Sequence, residues 1–126
     1  MAGLLVDSHV LLWHVLDDPR LGPGPTAAIE ADDAEVVVSV ASLWEIAIKM
    51  SLGKLDAPGD LPERVLELGF ELLPITNEHA WQVRQLPHHH RDPFDRMLIA
   101  QSQIERLPIV TADPSFKRYD VSIVWN

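Results

Sequence analysis

Apolar residues fall along the chain in two alternating textures. Short leucine or β-branched runs occur at Leu4-Leu5-Val6, Val36-Val37-Val38, Leu72-Leu73, Ile109-Val110-Thr111 and residues 121–124. Between them, apolar positions recur every three or four residues. A continuously apolar strand has no face for water, so these runs read as strands buried on both sides. Alternated with helices, they predict a parallel sheet covered on both faces, an α/β fold.

Several helix boundaries are legible. Asp60-Leu61-Pro62-Glu63 combines an N-cap, a proline in the first turn and an acid, and Gly69 follows as a stop. Asn77 is expected to cap a helix over 78–85. Asp92-Pro93 opens another, with Phe94, Met97, Ala100, Ile104 and Leu107 on its apolar side. In the helix after the second strand, Leu43, Ile46, Ala47 and Met50 form one face and Trp44, Ile48 and Leu52 a second. The first helix, 9–16, is apolar at Val10, Leu11, Leu12, Trp13, Val15 and Leu16, and deep burial and a subunit interface are both open to it. Segments 19–25 and 53–62, rich in proline and glycine, read as turn-rich connections.

At 126 residues, 47% of them apolar, the chain is expected to form one domain over 1–126. The absence of cysteine excludes disulfides, thiolate metal sites and a cysteine nucleophile. The N-terminus has no basic region ahead of its apolar run, and no stretch is long enough to cross a bilayer. A soluble, cytoplasmic protein is expected, with no membrane contact. The net charge of −9 argues against broad nucleic-acid affinity, which rests on Lys and Arg. Acids gathered around a metal are neutralised by it, however, so a nucleic acid would need a local basic rim or a surface shared with another chain.

The acids worth attention are Asp7, Glu45, Asp95 and Asp113. Asp7 follows the first strand, Asp113 lies just beyond Ile109-Val110-Thr111, and Glu45 and Asp95 lie near the starts of helices. In right-handed βαβ units strand ends and helix starts share one edge of the sheet, where ligands bind. Four acids gathered there would repel, and a hard divalent cation relieves that repulsion. Such an ion can activate water against a phosphodiester. Each acid also has a plainer reading. Ser42 with Glu45 fits a capping box, Glu45 with Lys49 an ion pair, Asp95 a helix-dipole partner, and Asp113 an N-cap. Asp7 is harder to explain that way, because an acid ending a buried strand is costly without a partner. A haloacid-dehalogenase-type phosphatase would need an aspartate at His9. A phosphate-binding loop would need a lysine that Gly22-Pro23-Gly24-Pro25-Thr26 lacks.

Four segments, taken in order, resemble the PIN-domain family, in particular VapC-type toxins of toxin–antitoxin pairs. They are Leu4-Leu5-Val6-Asp7-Ser8-His9, Ser39-Val40-Ala41-Ser42-Leu43-Trp44-Glu45-Ile46, the segment 92–101 beginning Asp92-Pro93-Phe94-Asp95-Arg96, and Val110-Thr111-Ala112-Asp113-Pro114-Ser115-Phe116. The resemblance implies a three-layer α/β/α sandwich, Mg²⁺ or Mn²⁺ in an acidic pocket, and endoribonuclease activity on an RNA substrate. It implies Asp7 and Asp95 as principal metal ligands, with Glu45 and Asp113 completing the pocket and Ser8 and Thr111 orienting carboxylates. It also implies a homodimer and a VapB-like antitoxin, for which the first helix and the Trp44 helix are candidate surfaces. His9 departs from the asparagine often found there. The alternative is a PIN-fold module that acts only through protein partners. Arg91 and Arg96, flanking Asp95, read either as phosphate contacts or as offsets to the local acidity. His88-His89-His90 reads as a loop on the site's rim, and Lys49 and Lys54 as solvated side chains near it.

Overall fold

The computed structural model describes residues 2–89 and 92–125. Its strands β1 (Ala2–Val6), β2 (Ala34–Ser39), β3 (Glu71–Leu73), β4 (Ile109–Val110) and β5 (Ile123–Val124) form one sheet in the order β3-β2-β1-β4-β5. Every pairing is parallel. Six helices connect and cover it: α1 (Ser8–Val15), α2 (Pro23–Glu30), α3 (Val40–Ser51), α4 (Leu61–Glu67), α5 (Asn77–Gln82) and α6 (Pro93–Glu105).

Strand alternation sorts the apolar runs into two cores. Leu4, Val6, Val36, Val38 and Val110 pack with Val10, Leu11 and Leu12 of α1, Ile29 of α2, Ile46 of α3, and Leu61 and Val65 of α4. Leu5, Val37 and Ile109 point the other way, onto Leu98, Ile99 and Ala100 of α6 and onto Leu86, Phe116 and Tyr119. The chain is thus a three-layer α/β/α sandwich, with both sheet faces dry as the continuous apolar runs require.

Register places the functional edge. Val6 lies opposite both Val38 and Val110, so Asp7, Ser39 and Thr111 leave their strands at one level. Strand order reverses between β1 and β4, and this crevice at the C-terminal ends is where open α/β sheets bind ligands.

Three local expectations change. Residues 23–30 are helical, although 19–25 reads as turn. Pro23 and Pro25 sit in the first turn of α2, where backbone N–H groups have no helical acceptor and proline removes nothing. The cap of α5 is Thr76, whose hydroxyl accepts from His79 N, with the His79 ring accepting from Thr76 N in return; Asn77 is the first helical residue. Helix α6 buries Leu98, Ile99, Gln101 and Ser102 as well as Ala100, whereas Phe94, Met97, Ile104 and Leu107 are only half-buried. Helix α1 buries Val10, Leu11 and Leu12 and half-buries Trp13 and Val15, whereas Trp44 (58%) and Ile48 of α3 and Leu52 at its C-cap are exposed in one stripe.

Candidate active site

Asp7 is held by both of its carboxylate oxygens. It is the N-cap of α1, its Oδ1 accepting from Val10 N at 2.8 Å, which satisfies one of the orphan donors of the first turn. Its Oδ2 accepts from the hydroxyl of Thr111, the residue that follows β4, and its backbone N donates to Val110 O at 3.1 Å. Thr111 Oγ1 in turn accepts from Asp113 N at 3.1 Å. Asp113 caps the 3₁₀ turn Pro114–Arg118, its Oδ1 accepting from Ser115 N at 2.9 Å. One hydroxyl thus ties the acids after β1 and β4 into one unit across the switch crevice.

These partners are neutral, so they orient the Asp7 carboxylate without balancing its charge. Burial pushes its pKa above the ordinary aspartate value. The Thr111 and Val10 hydrogen bonds and the charge of His9 act against that rise, and nearby Asp113 adds to it.

The other half of the edge is built differently. Glu45, one turn and a half into α3 and 5% exposed, accepts from Ser8 Oγ at 2.6 Å and from Lys49 Nζ at 2.9 Å. The Ser42–Glu45 capping box does not form, because α3 begins one turn earlier, with Ser39 Oγ accepting from Ala41 N at 3.0 Å. The i,i+4 ion pair does form. Lys49 is therefore bound to Glu45 rather than simply solvated. Its pKa is raised, first by the Glu45 hydrogen bond, with burial opposing and the charges of Glu45, Asp92 and Asp95 adding. Asp95, in the first turn of α6, lies on this side of the cleft, within electrostatic reach of the Lys49 ammonium. Asp92 caps that helix, its Oδ1 accepting from Phe94 N and Asp95 N at 2.8 and 3.0 Å.

The two halves meet at the Asp7–Ser8 peptide. Ser8 carries the contact to Glu45 and Asp7 the contact to Thr111, so the first turn of α1 links all of β1, β4 and α3.

Arg96 is not placed to meet a phosphate. It is 9% exposed, and its guanidinium donates to the carbonyls of Val83, Leu86 and Pro87, with Tyr119 Oη at 3.5 Å. It fastens the segment 83–87 to α6, since carbonyls there would otherwise be buried without donors. Arg91 and His90 lie outside the described residues. His88 and His89 are exposed, and the His89 ring meets Tyr119 edge-on at 5.3 Å.

The donors of the edge are hard carboxylate and hydroxyl oxygens, the type that Mg²⁺ and Mn²⁺ prefer. Among the described residues no three acids or histidines converge as a ready-made cage. The donor set therefore suits an ion held by a subset of the carboxylates, with water completing its shell. The buried Asp7 charge is the group with most to gain from one.

Residues 4–122 match the model of the PIN domain family. No curated protein matches the chain. Among solved structures, VapBC2 from Rickettsia felis bound to a promoter DNA fragment aligns at TM-score 0.71 and 13% identity, covering 96% of each chain. A toxin–antitoxin complex from Klebsiella pneumoniae aligns at TM-score 0.65 and 17% identity, over 97% of this chain and 96% of that one. FitAcB from Neisseria gonorrhoeae aligns at 0.63 and 21%, over 97% and 96%. At these identities the likeness is one of fold.

Proposed function

The chain belongs to the PIN domain family, and on that premise we propose that it is a metal-dependent endoribonuclease acting as the toxin of a VapBC-type pair. The observation that carries the reading is the convergence of Asp7, Thr111 and Asp113 at the switch crevice, with Glu45 and Asp95 on its other side. Asp7 and Asp95 would be the principal ligands of Mg²⁺ or Mn²⁺, with Glu45 and Asp113 completing the set directly or through water. When bound, such an ion supplies Lewis acidity to the phosphodiester and lowers the pKa of an attacking water. The chain's own groups hold the acids in place for this. Thr111 and Val10 N orient Asp7, Ser8 and Lys49 orient Glu45, and Asp113 is aimed by its own cap. No side chain needs to act as a nucleophile.

The structures that the fold resembles include toxin–antitoxin complexes, which supports an antitoxin as partner. The apolar stripe of α3 suits such a contact or a homodimer. It borders a groove of about 380 Å³ lined by Trp44, Ile75, Ala80, Phe94 and Met97 among others. Among the described residues no helix is long and apolar enough to cross a membrane.

The test is cleavage of total cellular RNA by antitoxin-free protein with Mg²⁺, Mn²⁺ or EDTA, beside Asp95→Asn. Discrete fragments that need the metal and vanish in the variant support the nuclease. Equal behaviour of the two proteins favours the alternative, a PIN-fold module that acts through protein contacts.

A further inference from the structure

Hydrolysis of a phosphodiester explains the acids of the cleft but not its walls. Beside Asp7 and Asp113 the cleft is lined by His9, Trp13, Ala112 and Pro114, and its volume is about 370 Å³, at the small end for ligand clefts. Apart from the two acids these walls are aromatic or apolar. His9 is exposed, and among the described residues its ring makes no hydrogen bond.

The ring is nonetheless supported. His9 and Trp13 lie one turn apart on α1, ring centroids 6.0 Å apart and tilted by 46°. Trp13 is half-buried and held from two further directions. Trp125, beyond β5, lies 6.2 Å away, and the Arg20 guanidinium sits 5.3 Å over the indole. Arg20 is fixed there by Asp18, to which it donates from Nε at 3.1 Å and from Nη2 at 2.7 Å. His9 thus stands on a braced aromatic base, two residues after the acid that follows β1.

Charge limits what this wall can bind. Arg20 is paired with Asp18 and Lys49 with Glu45, so neither is a free cation for the phosphate backbone. The whole chain carries −9. A nucleic acid held here gains from an added, uncharged source of affinity. Stacking of bases on aromatic rings provides it and tolerates any base, since every base has a π-face. Bases within a duplex already stack on one another and are not free to do so.

We propose that His9, backed by Trp13, is a stacking platform for an unpaired nucleobase next to the phosphate that the acids address. The proposal rests on the nuclease reading for what the acids do, but the platform is a binding site and is tested as one. The measurement is equilibrium binding of a short fluorescein-labelled single-stranded RNA, read by anisotropy in Mg²⁺ on the Asp95→Asn background, with His9→Ala, His9→Phe and His9→Lys compared. Stacking predicts about tenfold weaker binding for His9→Ala and near-full retention by His9→Phe. It also predicts the same salt dependence for His9→Phe and His9→Ala despite their different affinities, because neither variant carries a charge at this position. The same RNA as a duplex should bind weakly and be indifferent to His9→Ala. Binding that survives His9→Ala, or that His9→Lys restores and His9→Phe does not, overturns the platform. Metal-dependent cleavage by the otherwise unaltered protein is scored separately. Its absence beside His9-dependent binding would sink the nuclease reading and leave the platform standing.

Discussion

The two sides of the acidic cleft solve the same problem in opposite ways. On the β1/β4 side, Asp7 is held by a hydroxyl and a backbone N–H, so its geometry is fixed while its charge is left over. On the α3 side, Glu45 is held by a hydroxyl and an ammonium, so its charge is largely balanced within the protein. A carboxylate of the first kind would have its charge met by an external cation on the proposed reading, and one of the second kind already has a cation. The side that is electrostatically unfinished is the side where a metal changes most.

Replacing Asp7 should separate the two sides most sharply. Asp7→Asn is expected to lower metal-dependent cleavage at least ~1000-fold, on the scale of losing a central catalytic group. It should also raise stability in EDTA near neutral pH. The folded-state pKa of Asp7 is raised, so the native state binds its proton more tightly than the unfolded state does. The wild type therefore loses stability as pH climbs from the ordinary aspartate value through the raised one, and the variant does not. Thermal melts of both proteins across acid to neutral pH check this, and parallel curves would refute it.

Thr111→Val removes the hydroxyl that serves both Asp7 and Asp113 N. Loss of such an orienting partner typically costs about 10- to 100-fold in metal affinity or activity. A Mg²⁺ titration of cleavage should therefore need more metal. An unchanged midpoint would mean that the hydroxyl only packs.

Lys49→Met probes the balanced side. Its side chain is 42% exposed, so screening leaves an expected stability loss of only about 1 kcal/mol. The informative sign is the response to metal. With Glu45 deprived of its ammonium, added Mg²⁺ should raise the melting temperature more in the variant than in the wild type. An equal or smaller rise would show that Glu45 takes no part in holding the ion. Ser8→Ala should be the mildest, with about a fivefold loss of cleavage, because Lys49 still anchors Glu45.

Particular residues show what could be read beforehand. The five apolar runs became five parallel strands; burial leaves its mark most plainly on the central β2, β1 and β4, while the edge strands β3 and β5 are only partly buried. Asp92-Pro93 and Gly69 mark helix ends through backbone chemistry confined to a few residues. Helix α2 escaped because its prolines mean opposite things in a first turn and in a loop, and only the chain's path distinguishes them. Arg96 escaped because a cation beside an acid looks the same in sequence whether it turns to a ligand or to buried carbonyls. The Glu45–Lys49 pair was visible in its spacing, but not the burial that makes it matter.

By itself the sequence determined the α/β class, the parallel sheet and the edge on which Asp7 and Asp113 emerge. All of these follow from local periodicity and from the handedness of strand connections. Only the tertiary structure decided that Thr111 bonds Asp7 across 104 positions of chain, that Trp125 braces the helix bearing His9, and that α1 turns Val10, Leu11 and Leu12 into the core while α3 shows an apolar stripe. Those outcomes depend on register and packing between distant segments, where a shift of one residue would turn every side chain to the other face.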